Sequence, residues 1–232
     1  MSKDKLKELE KKIGVNFKNK DLLKAAMVHR SYINEHPSFA LNHNERLEFL
    51  GDAVLELVVT EYLYQNYQNP EGELTNWRAA LVNGSSLAEV AEEFGLYDYL
   101  YLSRGEAKDG NPKARNYILA NATEALIGAI YLDMGWETVK EFVTKHLLVK
   151  LPHILKNKLY MDAKSHFQEL AQEKVGITPG YRVLSESGPD HAKNFVIGVY
   201  LEDELAAEGR GTSKQEAQMD AAAKALKVKH WN

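Results

Sequence analysis

The sequence predicts two domains, an all-α domain followed by a small α+β domain. The chain has 232 residues, which is enough for two domains of modest size. Apolar residues recur at three- and four-residue spacings through about residue 150, whereas two later segments are rich in β-branched and aromatic residues. With 44% hydrophobic and 27% charged residues, the chain has the material for a hydrophobic core and a charged surface.

The first domain is predicted to span residues 1–155 and to contain seven or more helices. Apolar positions follow a helical period in residues 50–58 and 81–90. Pro, Gly, Asn and Asp favour turns, and they interrupt this pattern between the helices. The interruptions lie at residues 36–37, 69–72 and 109–112.

A polar linker at residues 156–161 is predicted to join this domain to the second one, residues 162–232. The apolar period fades in the linker, which begins with Lys156-Asn157-Lys158. The second domain has the order α-β-β-β-α, in which two helices cover one face of an antiparallel sheet. Its predicted elements are a helix at 165–174, strands at 181–185, 195–201 and 204–209, and an alanine-rich helix at 213–228.

Composition excludes several kinds of site and compartment. The chain has no cysteine, which removes disulfides, thiolate zinc sites and cysteine nucleophiles and favours the reducing cytoplasm. The first residues are charged, and no stretch approaches the roughly 18 apolar residues of a membrane helix, so we expect no membrane partner. The net charge is −4, so an acidic partner such as a nucleic acid would need a local basic patch.

An acidic stripe lies in the predicted helix around residues 44–57. Glu45, Glu48 and Asp52 follow one another at three- and four-residue spacings, which places them on one side of a helix. Apolar residues alternate with them, so part of the stripe should face protein. Most acidic stripes at this spacing are solvated or form ion pairs within their own helix, and Glu56 and Glu61 are best interpreted in that way.

A second segment, residues 120–132, is apolar almost all round except at Asn121 and Glu124. A carboxylate in such a helix needs a partner, which could be an arginine such as Arg46 or Arg78. Alternatively, oxygen side chains from two helices could hold Mg²⁺ or Mn²⁺, and histidine and cysteine are absent from both segments. Such a site would support metal-assisted hydrolysis of a phosphate ester. Spacing alone leaves both alternatives open.

The segment 44–52, with the sequence NERLEFLGD, resembles the hallmark of bacterial ribonuclease III, the double-stranded-RNA endoribonuclease. The resemblance extends over nearly the whole chain and includes Glu71-Gly72, Gly105-Glu106, residues 124–129 and a C-terminal double-stranded-RNA-binding domain. It implies an Mg²⁺-dependent enzyme, in which Mn²⁺ can substitute. The implied metal ligands are Glu48, Asp52, Asn121 and Glu124, with Asp52 and Glu124 catalytic. Asn121 stands where the family has aspartate, and we interpret it as a variant ligand that weakens metal binding.

The resemblance also implies a homodimer that makes staggered cuts, leaving 5′-phosphates and short 3′ overhangs. It places Phe49 in the dimer interface, although an aromatic residue in this pattern is more often part of a core. Glu45 and Glu71 match positions near the RNA but could be plain surface charges. Lys113 and Arg115 could reach phosphates or remain solvated.

In the C-terminal domain, the resemblance implies that double-stranded RNA is recognised by its shape. Three patches are expected to contact it, and Ser213 could also serve as a simple N-cap with Glu216 completing a capping box. Gln215 and Gln218 occupy positions where lysines are common in the family, so binding by this domain should be weak. The expected RNA contacts are Gln168 and Gln172, then Gly188, Pro189 and His191, and then Thr212, Ser213 and Lys214.

Three functions are compatible with these patterns. The leading hypothesis is an endoribonuclease that processes ribosomal and other structured precursor RNAs. The second is a double-stranded-RNA-binding protein whose cleavage is impaired because of Asn121. The third is an all-α, metal-dependent nucleotide hydrolase with an unrelated C-terminal adaptor.

Overall fold

The computed structural model describes residues 3–189 and 193–231 and divides into two compact units, Met1–Tyr160 and Met161–Asn232. Each unit has its own hydrophobic core. The first unit extends past the predicted domain end at residue 155, because Tyr160 packs edge-on against the buried Trp77 with ring centroids 5.9 Å apart.

Within the described residues, the first unit contains ten α-helices and two short 3₁₀ helices, and the predicted all-α class is confirmed. Helices begin or end at the three predicted turns, since α3 ends at Glu35, α5 follows Pro70 and α8 begins at Pro112. The α-helices are α1 (Lys3–Ile13), α2 (Lys20–Ala26), α3 (Arg30–Glu35), α4 (Glu45–Asn66), α5 (Glu71–Leu81), α6 (Gly84–Glu93), α7 (Arg104–Lys108), α8 (Pro112–Met134), α9 (Trp136–His146) and α10 (Leu151–Lys156). The 3₁₀ helices are Leu96–Tyr99 and Leu148–Lys150.

Helices α4 and α8 form the centre of this unit. They are the longest helices described, with 22 and 23 residues. From Ile118 to Ile130, α8 is buried except at Asn121 and Glu124. This burial explains why its sequence is apolar almost all round, and it leaves two polar side chains at the edge of the core.

The second unit contains α11 (Ala163–Val175), three antiparallel strands and α12 (Lys214–Val228), in the predicted α-β-β-β-α order. The strands are β1 (Gly180–Ser187), β2 (Asn194–Leu201) and β3 (Glu204–Gly211), in the sheet order β1-β2-β3. The core joins Phe167 of α11 and Val199 of β2 to a row of small residues on α12. Gly209 of β3 allows this close packing, because a Cβ there would lie 2.1 Å from the backbone nitrogen of Ala221.

No helix in the part of the chain that the structure describes has the length and apolar character needed to cross a membrane.

Candidate active site

Two glycines set the distance between α4 and α8. A Cβ on Gly51 would lie 1.8 Å from the carbonyl oxygen of Glu124, and a Cβ on Gly128 would lie 2.3 Å from the carbonyl oxygen of Leu47. Both distances are far below any real Cβ contact, so only glycine fits at either position. The two backbones therefore touch at this crossing.

The crossing brings together the carboxylates that the sequence singled out. Glu48 and Asp52 lie three residues before and one residue after Gly51, and Glu124 faces that glycine from α8. Glu48 and Glu124 are half-buried, whereas Asp52 is exposed. The cluster therefore stands at the edge of the core, open to solvent on one side.

Burial and mutual repulsion raise the pKa values of two carboxylates in this cluster. Burial, together with the carboxylates of Asp52 and Glu48, raises the pKa of Glu124 to about 7. Burial also raises the pKa of Glu48, with further contributions from Glu45 and Asp52. Both shifts arise because negative charges are concentrated in a partly desolvated place.

Basic side chains do not neutralise this charge. Across residues 3–189 and 193–231, no lysine, arginine or histidine forms an ion pair with Glu48, Asp52 or Glu124. Arg78, a suggested partner for Glu124, instead pairs with Glu56 at 2.9 Å. Glu61 pairs with Lys140 of α9 at 2.7 Å. Both glutamates are thus ion-paired, but with residues of other helices and not within α4 as the sequence pattern predicts.

The donor atoms suit a hard cation. Asn121 is half-buried one turn before Glu124, and its side chain makes no hydrogen bond within the described residues. Three carboxylates and an amide oxygen are ligands that Mg²⁺ and Mn²⁺ accept. In the same described ranges, no three His, Asp or Glu side chains lie close enough together to form a metal-binding group.

Two buried polar residues, which the sequence analysis did not identify, hold the helices in place. Asn44 precedes α4, and its side-chain amide donates to the carbonyl of Ala26 at 3.2 Å while its N–H donates to that of Val28 at 2.8 Å. Thr123 donates its hydroxyl to the carbonyls of Leu87 and Leu119, at 3.1 and 3.0 Å. Thr123 could have been identified in the sequence, because it is a polar residue within an otherwise apolar helix.

The other expected RNA contacts of this unit are exposed or partly exposed. Glu45 pairs with Arg30 at 3.3 Å, and Glu71 accepts a hydrogen bond from the Thr75 hydroxyl at 2.9 Å. Lys113 is exposed. The Arg115 guanidinium lies 4.2 Å from the centroid of the Tyr97 ring, so this stacking competes with any contact to a phosphate.

Phe49 lies on the surface, so the alternative that it is a core aromatic is wrong. Its side chain is 81% exposed. Together with Leu50 and Leu132 it lines a surface cavity of about 830 Å³. Phe49 and Leu132 are thus exposed apolar side chains beside one cavity, and contiguous exposed apolar surface is where proteins associate.

In the second unit, the first two expected patches lie on its surface. Gln168 and Gln172 are exposed on α11, where the Gln172 amide donates to the Thr178 hydroxyl at 3.1 Å. Gly188 has a φ of 94°, and Pro189 follows it in an exposed turn. His191 lies outside the described residues.

The third patch is the exposed start of α12. The Ser213 hydroxyl oxygen accepts the N–H of Glu216 at 3.1 Å, which confirms its role as N-cap. The Glu216 carboxylate accepts both the N–H and the hydroxyl of Thr212 at 2.7 Å, so it reaches the residue before the cap. The Lys214 ammonium lies 5.8 Å from the centroid of the Phe195 ring, and Gln218 accepts a hydrogen bond from Lys164 at 2.8 Å.

Comparison with known proteins identifies both units. Residues 19–151 match the family model described as ribonuclease-III-like, and residues 163–229 match the double-stranded RNA binding motif. The chain is 46% identical to "Ribonuclease 3" of Carboxydothermus hydrogenoformans, over 98% of this chain and 97% of the relative. It is 45% identical to "Ribonuclease 3" of Oceanobacillus iheyensis, over 95% and 96%.

A solved structure resembles the first unit. The nuclease domain of ribonuclease III from Campylobacter jejuni is 40% identical and has a TM-score of 0.57, covering 63% of this chain and 99% of that domain. That structure is described as showing flexibility in the region involved in dimer formation.

Proposed function

The chain belongs to the ribonuclease III family and is a double-stranded-RNA endoribonuclease, and from this premise we propose how it cleaves. The proposed cofactor is Mg²⁺, for which Mn²⁺ can substitute. The proposed ligands are Glu48, Asp52, Asn121 and Glu124. The proposed catalytic domain, residues 1–155, lies within the first unit, which continues to Tyr160, and the proposed RNA-binding domain, residues 162–232, lies within the second unit.

One observation supports this site above the others. Three carboxylates share a partly desolvated edge of the core without a basic partner among the described residues, and the pKa of Glu124 is raised to about 7 as a result. A structural ion-pair network would have placed an arginine or lysine there. A divalent cation relieves the same repulsion, and it requires the carboxylates to be ionised.

Each of the two central helices supplies two of the proposed metal ligands. Glu48 and Asp52 project from α4, and Asn121 and Glu124 from α8, so the crossing at Gly51 fixes the two pairs relative to each other. When bound, Mg²⁺ supplies a polarised water and positive charge against the phosphate oxygens. Asp52 and Glu124 would hold the cation through carboxylate oxygens, while Asn121 would contribute an oxygen without a charge and would therefore hold the cation more weakly than aspartate.

We propose further that two copies associate through the surface around Phe49. The exposed ring and the adjacent cavity of about 830 Å³ offer a projection and a recess on the same face, as a two-fold symmetric contact requires. Two such sites facing one duplex produce staggered cuts with 5′-phosphates and short 3′ overhangs. The proposed substrates are ribosomal and other structured precursor RNAs, and the proposed compartment is the cytoplasm.

The second unit is proposed to hold the duplex by its shape. We propose that Gln168 and Gln172 on α11 contact ribose hydroxyls, and that Gly188, Pro189 and His191 contact a minor groove. We propose that Thr212, Ser213 and Lys214 contact phosphates at the start of α12, where the helix dipole favours an anion.

Cleavage of an end-labelled RNA duplex in the presence of Mg²⁺ or Mn²⁺ tests this proposal. We expect fragments with 5′-phosphates and staggered ends, and no fragments from Glu124→Gln. Binding of the duplex without cutting at any metal concentration would favour the alternative of an impaired RNA-binding protein, which is motivated by Asn121. Hydrolysis of free nucleotides without duplex cleavage would instead favour the nucleotide hydrolase.

A further inference from the structure

Tyr117 is an exposed aromatic residue on a helix that otherwise forms the core. Its side chain is 67% exposed, whereas Ile118, Leu119 and Ala120 directly after it are buried. Within the described ranges, its ring stacks on no other aromatic ring or cation and belongs to no apolar cluster. Packing therefore does not account for a large aromatic side chain at this position.

The position of Tyr117 relates it to the candidate active site. It lies four residues before Asn121 and seven before Glu124 on α8, so the three side chains share one side of the helix. The rise from Tyr117 to Asn121 is about 6 Å. Because all helical side chains lean toward the N-terminus, the three keep this spacing along α8.

The same side of α8 continues to Lys113, four residues earlier, which is also exposed. A cation, a phenol and the acidic cluster thus follow one another along the helix. An RNA strand with its scissile phosphate at Glu124 would have its neighbouring backbone along this row.

The negative charge of the site favours a neutral hydrogen-bond donor at position 117. Glu48, Asp52 and Glu124 repel the phosphates of the strand, and a phenolic hydroxyl can donate to a phosphate oxygen without pairing with those carboxylates. Hydrogen bonds to charged acceptors are stronger than those between neutral groups. A lysine at the same place could instead pair with the carboxylates and compete with a cation.

We propose that Tyr117 is a substrate-contacting residue, whose hydroxyl donates to a phosphate of the cleaved strand next to the scissile one. This inference rests on the proposed function, because it assumes that RNA enters the site between α4 and α8. Its role is in holding the strand and not in the chemical step.

The test compares Tyr117→Phe with the wild-type protein in single-turnover cleavage of an RNA duplex. We expect the RNA concentration for half-maximal rate to rise at least about tenfold, the value of one hydrogen bond to a charged group, with little change in the maximal rate. Tyr64→Phe is the matched control, since Tyr64 is 77% exposed on α4 and lies about 18 Å along the helix from Asp52. It should behave as wild type.

A second measurement separates this inference from the proposed function. In a Glu124→Gln background, which cannot cleave, Tyr117→Phe should lower affinity for the duplex by the same factor, while Tm stays unchanged. An unchanged affinity and an unchanged half-maximal concentration would overturn the role of Tyr117. A wild-type protein that cuts no duplex would overturn the proposed function, and the binding measurement would still decide on Tyr117.

Discussion

Substitution of Gly51 by alanine is the most direct perturbation of the helix crossing. The added Cβ would lie 1.8 Å from the carbonyl oxygen and 2.6 Å from the carbonyl carbon of Glu124. Both are backbone atoms, so no side chain can rotate away to make room. The two helices have to separate instead.

The structure sets a lower limit on that separation. Real Cβ contacts are essentially never shorter than 3.0 Å, so the carbonyl of Glu124 must move by at least about 1.2 Å. Overpacking of this kind costs typically about 1–3 kcal/mol. A displacement of roughly 1 Å between catalytic groups can reduce a rate about 100-fold, because Glu48 and Asp52 move on one helix and Glu124 on the other.

The assay is duplex cleavage under saturating Mg²⁺, together with thermal unfolding. Gly51→Ala should lose about 100-fold in rate and unfold at a lower temperature. Gly84→Ala is the control, because its Cβ would meet only the Cβ of Ala120, at 3.9 Å. Wild-type activity and Tm in Gly51→Ala would refute the conclusion that the crossing positions the site.

Three further predictions concern individual side chains. Glu124→Gln should stabilise the metal-free protein at pH 8 but not at pH 4. The pKa of Glu124 is raised from an ordinary 4.5 to about 7, so its ionisation lowers the free energy of unfolding only as the pH rises above about 4.5. The loss is on the order of 1–3 kcal/mol at most. An equal gain in Tm at both pH values would contradict this prediction. Asn121→Asp should lower the Mg²⁺ concentration for half-maximal cleavage roughly tenfold because it adds a charged ligand, and an unchanged midpoint would show that residue 121 does not contact the cation. Phe49→Ala should raise the dimer dissociation constant at least about tenfold in sedimentation experiments, and an unaltered dimer would remove Phe49 from the interface.

Much of the fold follows from local patterns in the sequence. Helical spacing predicted the first unit, and the change of pattern near residue 160 predicted the α-β-β-β-α order of the second. Turn chemistry also located helix ends, because proline and glycine act on neighbouring backbone angles. The third strand runs to Gly211 instead of ending at residue 209, since its pairing with Phe195 of β2 depends on the partner strand.

Features that depend on distant residues could not be predicted in this way. The spacing of Glu48 and Asp52 placed them on one side of α4, but their approach to Glu124 depends on the close contact at Gly51 and Gly128. Phe49 is apolar and follows the helical period, yet it is exposed because nothing in the first unit covers that side of α4 among the described residues. The bond from Thr123 to the carbonyl of Leu87 likewise joins two helices.

Direct measurement of divalent-cation binding tests the central claim, that α4 and α8 together build one metal site. Titration of the protein with Mn²⁺ at pH 8, followed by its magnetic resonance signal, should show binding that Glu124→Gln weakens at least about tenfold. Glu56→Gln is the matched control, because Glu56 lies on α4 but pairs with Arg78, and it should bind as wild type does. Equal Mn²⁺ affinity in wild type and Glu124→Gln would contradict the account.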